Sequence, residues 1–355
     1  MLKQRNRVLY LQMNRMDSVA VRSMLYRELY RKKGYRVVYR SWDTFAIILF
    51  LEGFCPPVAK KLFNVVSQFL LQIYQYLILH FEVRFYDGII IMKYFPYETV
   101  SLIRKNTKAK LLYDFDDAIW LDMNMPLLKD YDKTIRLVDF VSVDNRYLYD
   151  KAVKYNKNVF ILPPPAQFEK LTDHWSDVKK DVITIGWIGS MGTSYYLYSL
   201  HSVLETLGRK YENIKLLVLG FALPKLPFFE SIKSEVIQEY DTEKMNRARS
   251  RIDIGLFPLL PCENSLGRGL CKPVIYMGAS IPVVATNLGI ISDLIQDGKN
   301  GFLCNNDHEW IEALSKLIED KSLRREIGHA GFATVKAYSL ENIFKILEDN
   351  FLCHL

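Results

Sequence analysis

Residues 183–194 read Ile-Thr-Ile-Gly-Trp-Ile-Gly-Ser-Met-Gly-Thr-Ser, a near-continuous apolar run that gives way to small residues. Such a run is a strand buried on both faces, and the small residues hand it to a helix predicted near Tyr195–Tyr211. Towards the C-terminus the alternation continues. Strands are predicted at Ile214–Gly220, near Val236–Tyr240, at Asp253–Leu259 and at Pro282–Thr286, and helices at Leu270–Gly278, Ile311–Leu317 and Ser339–Leu347. Towards the N-terminus, strands are predicted at Val8–Gln12, Arg36–Arg40, Gly88–Lys93, Lys110–Phe115, Phe140–Asp144 and Asn158–Leu162. A helix over Val19–Lys33 is capped by Asp17 or Ser18 and closed by Gly34. Alternation of this kind is α/β: parallel sheets with helices on both faces. Pro163-Pro164-Pro165 and a polar stretch to about Lys180 break the pattern in the middle. The chain has 355 residues, which suits two domains. The expected organisation is a Rossmann-like domain over 1–165, a linker over 166–181 and a second Rossmann-like domain over 182–338. A C-terminal helix over 339–355 is expected to pack back toward the first domain, and the two domains to face a cleft.

Charge is unevenly placed. The whole chain carries +7, yet residues 1–40 hold eleven basic side chains against only Asp17 and Glu28, a local net of +9. A basic end suits nucleic acid or an anionic membrane surface. No nucleic-acid motif accompanies it and the rest of the chain is slightly acidic, so nucleic acid is not an expected partner. Nearby, Phe45–Phe54 and Val58–Phe81 are unusually apolar and aromatic, with Lys61, Asn64, Gln68, Gln72 and Gln75 forming one narrow polar stripe. Those polar residues interrupt every run long enough to span a bilayer. Two readings remain for this helix, a buried core element or one lying in a membrane interface. The five cysteines, at 55, 262, 271, 304 and 353, form no CxxC pair, which indicates a reducing compartment. The N-terminus has no apolar run of signal-peptide length. The expected location is cytoplasmic, with peripheral contact on the inner face of the cell membrane through residues 1–81.

Three segments can carry chemistry. Gly189–Ser194 follows a strand and opens a helix, where free amides meet an anion. Gly267-Arg268-Gly269 precedes another helix start, with Lys272 four residues after Arg268, a spacing that would put both cations on one side of it. Tyr113-Asp114-Phe115-Asp116-Asp117-Ala118-Ile119-Trp120 ends a strand with three carboxylates, which need a compensating cation or hydrogen-bond donors. Metal ligation, general base catalysis and acceptance of sugar hydroxyls are all open to such a cluster.

The ordered set Asp253-Ile254-Gly255-Leu256-Phe257-Pro258-Leu259, Arg268-Gly269, Lys272, Tyr276-Met277, Ile281-Pro282-Val283-Val284-Ala285 and Gly298…Asn300-Gly301-Phe302 resembles the nucleotide-sugar half of GT-B glycosyltransferases. It is most similar to the fourth family of retaining glycosyltransferases, and Ile185–Ser190 with Tyr113–Trp120 matches a bacterial branch of it. The resemblance is densest over 183–340. It implies transfer of a sugar, of hexosyl type and with retention of configuration, from a UDP- or GDP-linked donor to a glycan or lipid-linked acceptor, with no cofactor and no metal. It places the donor on Gly189, Ser190, Thr193, Gly267, Arg268, Gly269 and Lys272. Asp116 and Asp117 become the catalytic pair, and Asn14, Arg15, Asp17 and Ser18 the acceptor side. One pattern departs: where the family carries a pair of Glu residues around this helix start, this chain has Gly267 and Ile275. A second reading follows, a GT-B module that binds a sugar, nucleotide or partner protein with little or no turnover.

Overall fold

The computed structural model describes residues 6–12, 23–42, 60–121, 130–166, 182–189, 191–220, 229–237 and 249–355. The chain divides into two compact units, Met1–Pro163 with Leu340–Leu355, and Pro164–Ser339. Asn14, Arg15, Asp17, Ser18, Ser190, the Phe45–Phe54 stretch and linker residues 167–181 lie outside the described residues.

In unit 1 the strands are β1 (Arg7–Gln12), β2 (Arg36–Ser41), β3 (Gly88–Met92), β4 (Lys110–Phe115), β5 (Phe140–Val143) and β6 (Val159–Ile161). All pair in parallel, in the order β2-β1-β3-β4-β5-β6. The helices that connect them are α1 (Arg27–Lys33), α2 (Lys60–His80), α3 (Tyr97–Asn106), α4 (Tyr131–Leu137) and α5 (Arg146–Ala152). α1 ends where the sequence indicates, at Gly34 with φ 85°, a left-handed cap that glycine adopts without steric cost. β3 is buried at all five positions, as a strand covered on both faces must be. The C-terminal helix, α13 (Leu340–Asn350), belongs to this unit. Phe344 packs edge-on against Tyr30, with ring centroids 4.9 Å apart, and Glu348 pairs with Lys33 at 2.8 Å.

In unit 2 the strands are β7 (Ile183–Ile188), β8 (Ile214–Leu219), β9 (Lys233–Ile237), β10 (Ile254–Phe257), β11 (Val283–Thr286) and β12 (Phe302–Cys304). They form a second parallel sheet in the order β12-β11-β10-β7-β8-β9. The helices are α6 (Ser194–Tyr198), α7 (His201–Lys210), α8 (Glu263–Leu266), α9 (Cys271–Gly278), α10 (Ile291–Leu294), α11 (Asp307–Glu319) and α12 (Lys321–Val335). The predicted single helix over Tyr195–Tyr211 is two, interrupted at Ser199 and Leu200. α12 is an addition: Gly328 and Gly331 hide it in the sequence. The Asp320 carboxylate caps it by accepting from the Ser322 and Leu323 amides, and Gly331 brings its backbone close to Met277 on α9.

Each sheet reverses its strand order once, between β1 and β3 in unit 1 and between β7 and β10 in unit 2. Ligand sites of open parallel sheets lie beyond the carboxyl ends of the strands at such points. The loop after β7 carries Gly189 and Thr193, the loop after β10 carries Gly267–Gly269, and Lys93 follows β3 directly.

α2 departs from the core-helix reading. Ile78 and Leu79 are buried and Gln75 Nε2 donates to the Trp42 carbonyl at 3.0 Å, so one side meets the unit. Phe69, Leu70, Ile73, Tyr76 and Leu77, on the other side, are exposed. The reason is geometric: a helix laid on a sheet buries one stripe, and this one is apolar over more of its circumference than that stripe can cover.

Ser280, fully buried, takes φ 56° and its Oγ has no hydrogen-bond partner among the described residues. A left-handed backbone in a residue with a Cβ costs roughly 1–2 kcal/mol, and an unmet buried hydroxyl adds to it. Ser280→Gly therefore stabilises unit 2 by about 1 kcal/mol after the extra chain entropy of glycine is deducted. A thermal melt checks it, with an expected rise of roughly 2–4 °C.

Candidate functional site

The carboxylate cluster of unit 1 resolves into two parts. Asp114, the penultimate residue of β4, is buried, and its Oδ1 accepts from Ser142 Oγ of neighbouring β5 at 2.8 Å. Asp116 and Asp117 lie just past the strand end and meet the Lys93 ammonium. Lys93 Nζ donates to Asp116 Oδ1 at 2.6 Å and to Asp117 Oδ2 at 3.0 Å. The Lys93 side chain is 3% exposed, those of Asp116 and Asp117 15% and 21%. The register explains the meeting. Met92 pairs with Asp114, and the Lys93 amide donates to the Asp114 carbonyl at 2.8 Å, so the residues that leave the two strands emerge side by side. Asp114 thus takes a hydroxyl donor, and the compensating cation of Asp116 and Asp117 is Lys93, which the sequence reading did not single out. Its one signal was a lysine closing a buried apolar run. Tyr94, next along, holds φ 75° with its ring centroid 5.0 Å from the ammonium. Such backbone strain in a non-glycine residue is characteristic of functional sites. Among the described residues no group of three or more His, Cys, Asp or Glu side chains is placed to hold a metal ion.

In unit 2 two of the segments that the sequence singled out come together through a residue it did not. Gly189 ends β7 and its amide donates to the Leu219 carbonyl at 3.1 Å. A Cβ there would lie 2.1 Å from the buried Trp187 indole, so the close turn requires glycine. Thr193 follows, half-buried, and α6 begins at Ser194. From α6, the Tyr196 hydroxyl and Ser265 Oγ of α8 are 2.9 Å apart, and the Arg268 guanidinium stands over the Tyr196 ring, 5.8 Å from its centroid. The loop after β7 and the loop after β10 are thus tied together beside Arg268. Gly267 is buried with φ −82° and its amide closes α8 on the Glu263 carbonyl. Arg268 and Gly269 form a short link outside regular secondary structure, and Leu270 is the N-cap of α9.

Arg268 precedes the helix, as the sequence reading has it, so its four-residue spacing to Lys272 is not that of two residues within one helix. Lys272 is in the first turn of α9, half-buried, and Pro273 follows in that turn, where its missing amide costs nothing. Ile275 points its apolar side chain into the packing around the core of this unit.

The Cys262 thiol is held below its usual range, first by the Ser265 hydroxyl 3.2 Å away and then by the amides of Ser265 and Asn264. Burial pushes Cys304 the other way, up to about 12. At pH 7.5 iodoacetamide alkylates Cys262 ahead of Cys304, because the thiolate is the nucleophile. Ser265→Ala slows the Cys262 reaction; peptide mapping over time reads both.

Comparison with known proteins follows the same geography. Residues 182–320 match the family described as glycosyl transferases group 1. The chain is 25% identical over 186 residues to the capsular polysaccharide biosynthesis glycosyltransferase CapM of Staphylococcus aureus, a match covering 50% of this chain and 48% of that protein. The chain thus spans about half the length of that relative. Among solved structures, sucrose-phosphate synthase from Thermosynechococcus elongatus superposes with TM-score 0.68 at 12% identity, covering 98% of this chain and 99% of that one. Anabaena HepE in complex with UDP-glucose gives TM-score 0.65 at 14% identity, covering 98% and 100%.

Proposed function

From the match of residues 182–320 to glycosyl transferases group 1 and from the two parallel-sheet units, we propose that the chain is a GT-B glycosyltransferase that transfers a hexose from a UDP- or GDP-linked donor to a glycan or lipid-linked acceptor, with retention of configuration. The observation that carries it is the tie between Tyr196, Ser265 and Arg268 at the strand-order reversal of unit 2. It sets a guanidinium beside a glycine turn and a helix start, an arrangement suited to a diphosphate. The leaving group is a nucleoside diphosphate, so the work of the site is to stabilise negative charge as the glycosidic bond breaks. Arg268 and Lys272 supply cations, Gly189, Gly267 and Gly269 lack the side chains that would hold a ligand off the backbone, and Ser190 and Thr193 complete the donor set by the sequence resemblance. Asp116 and Asp117, fixed by Lys93, accept hydrogen bonds from sugar hydroxyls, and Asn14, Arg15, Asp17 and Ser18 complete the acceptor side. No cofactor or metal has a part in this scheme. HepE, solved with UDP-glucose, supports a uridine nucleotide as the first donor to try.

The test is thermal unfolding against a panel of UDP- and GDP-sugars. A true donor at about 100 times its dissociation constant adds roughly 2.7 kcal/mol. No shift with any member at millimolar concentration sinks the donor site. The second reading rests on Ile275: where the family places a carboxylate for donor hydroxyls, this chain has an apolar, half-buried side chain packed against the core. Nucleotide binding without release of sugar would favour a binding module. The anomeric proton of the product, read by NMR, decides retention.

The acceptor proposal extends to location: a cytoplasmic protein whose residues 1–81 touch an anionic membrane. Among the described residues no helix is long and apolar enough to cross one.

A further inference from the structure

We propose that the outward face of α2 is a lipid-docking surface that lies in the interface of an anionic bilayer, an inference that rests on the peripheral-membrane reading above and gives it an address. Phe69, Leu70, Ile73, Tyr76 and Leu77, with Phe81 just beyond the helix, are between 39% and 61% exposed. Their spacing of three and four residues sets them in one stripe, on the side away from the buried Ile78 and Leu79. Six large apolar side chains side by side form a patch of the kind that marks an interaction surface. Gln75 turns toward the unit and donates to the Trp42 carbonyl, and Gln68 and Gln72 are exposed beside the stripe.

Charge chooses the occupant. Residues 62–79 contain no Asp, Glu, Lys or Arg, while Lys60 and Lys61 stand at one end and Arg84, exposed, near the other. The acid at that end, Glu82, is already engaged by Arg40 at 2.9 Å. Formal charges sum to +8 over unit 1 and −1 over unit 2, which together make the +7 of the chain. A second copy would bring a like-charged unit against this one, whereas anionic headgroups attract it by roughly 1 kcal/mol per basic residue near the surface. An apolar aromatic stripe with cations at both ends is the composition of a helix lying in the headgroup region.

The experiment is co-sedimentation of the full chain with vesicles of 3:1 phosphatidylcholine to phosphatidylglycerol, beside vesicles of phosphatidylcholine alone. Wild type partitions onto the anionic vesicles, and Phe69→Glu/Leu77→Glu lowers the partition coefficient at least tenfold. Both side chains are exposed, so the melting temperature of the variant stays within 2 °C of wild type. Hydrogen exchange of peptides covering 66–85 in the wild type slows on those vesicles, a measurement that needs no variant. Three results overturn the proposal. Absence of wild-type binding removes both the docking face and the peripheral reading. Equal binding by the double variant, or unchanged exchange over 66–85, removes the face and leaves the peripheral reading standing. A dimer in sedimentation equilibrium that the double variant dissociates assigns the stripe to a second copy. Donor protection against thermal unfolding is independent of all three.

Discussion

Lys93→Met lowers the unfolding free energy by about 3 kcal/mol, the low end for breaking a buried ion pair by removing one partner. The low end applies because the two carboxylates keep some contact with water, 15% and 21%, while the ammonium keeps almost none. The loss comes from Asp116 and Asp117, left adjacent and negative without the ammonium that bridges them. The triple variant Lys93→Met/Asp116→Asn/Asp117→Asn therefore recovers much of it, since removing all the charges removes the imbalance. Urea unfolding of wild type, single and triple variants gives the answer in the order of midpoints. If the triple variant is less stable than Lys93→Met, the ammonium acts through packing and the charge argument is wrong. On the proposed function, both variants lose sugar transfer. A thioether in place of the ammonium no longer fixes the pair, and carboxamides in place of the two carboxylates are weaker acceptors.

Arg268→Ala costs about 100- to 1000-fold in kcat with the UDP- or GDP-sugar identified by thermal shift, the usual loss when one donor aimed at developing charge is deleted. The side chain is half-buried and stands over the face of Tyr196, a contact of about 1 kcal/mol or less at such a site. Arg268→Lys keeps a positive charge and loses the planar fork, so it falls between the two. Stopped assays of nucleotide release beside a thermal melt separate the effects. Unchanged turnover in Arg268→Ala would detach Arg268 from the diphosphate and send the donor proposal back to Lys272 and the loop after β7.

Much of the fold was legible because the signals are local. β4 runs from Lys110 to Phe115 as its apolar pattern predicts, Gly34 stops α1, and Leu270–Gly278 is a helix from its cap onward. Errors fell where local pattern and packing disagree. α12 reads poorly because Gly328 and Gly331 lower helix propensity, yet Gly331 is what lets the helix approach Met277. The candidate site was legible in its glycines, cations and aspartates, each at the end of a predicted strand. The residues that join them were not: Lys93 lies 23 and 24 positions before its aspartates, and Tyr196 lies 69 before Ser265.

By itself, then, the sequence determined that this protein has parallel sheets, where most of their strands lie (though not β12), and that its basic charge is gathered at one end. Periodicity and turn chemistry act over a few residues, so they can be read without knowing what packs where. Only the tertiary structure decided that β3 and β4 are neighbours, which gives Asp116 and Asp117 their cation. It alone decided that the loop after β7 meets the loop after β10 through Tyr196 and Ser265, and that α2 turns its apolar stripe outward. Those outcomes depend on strand order and on which helix face the sheet has room to cover, and both are settled by the whole chain at once.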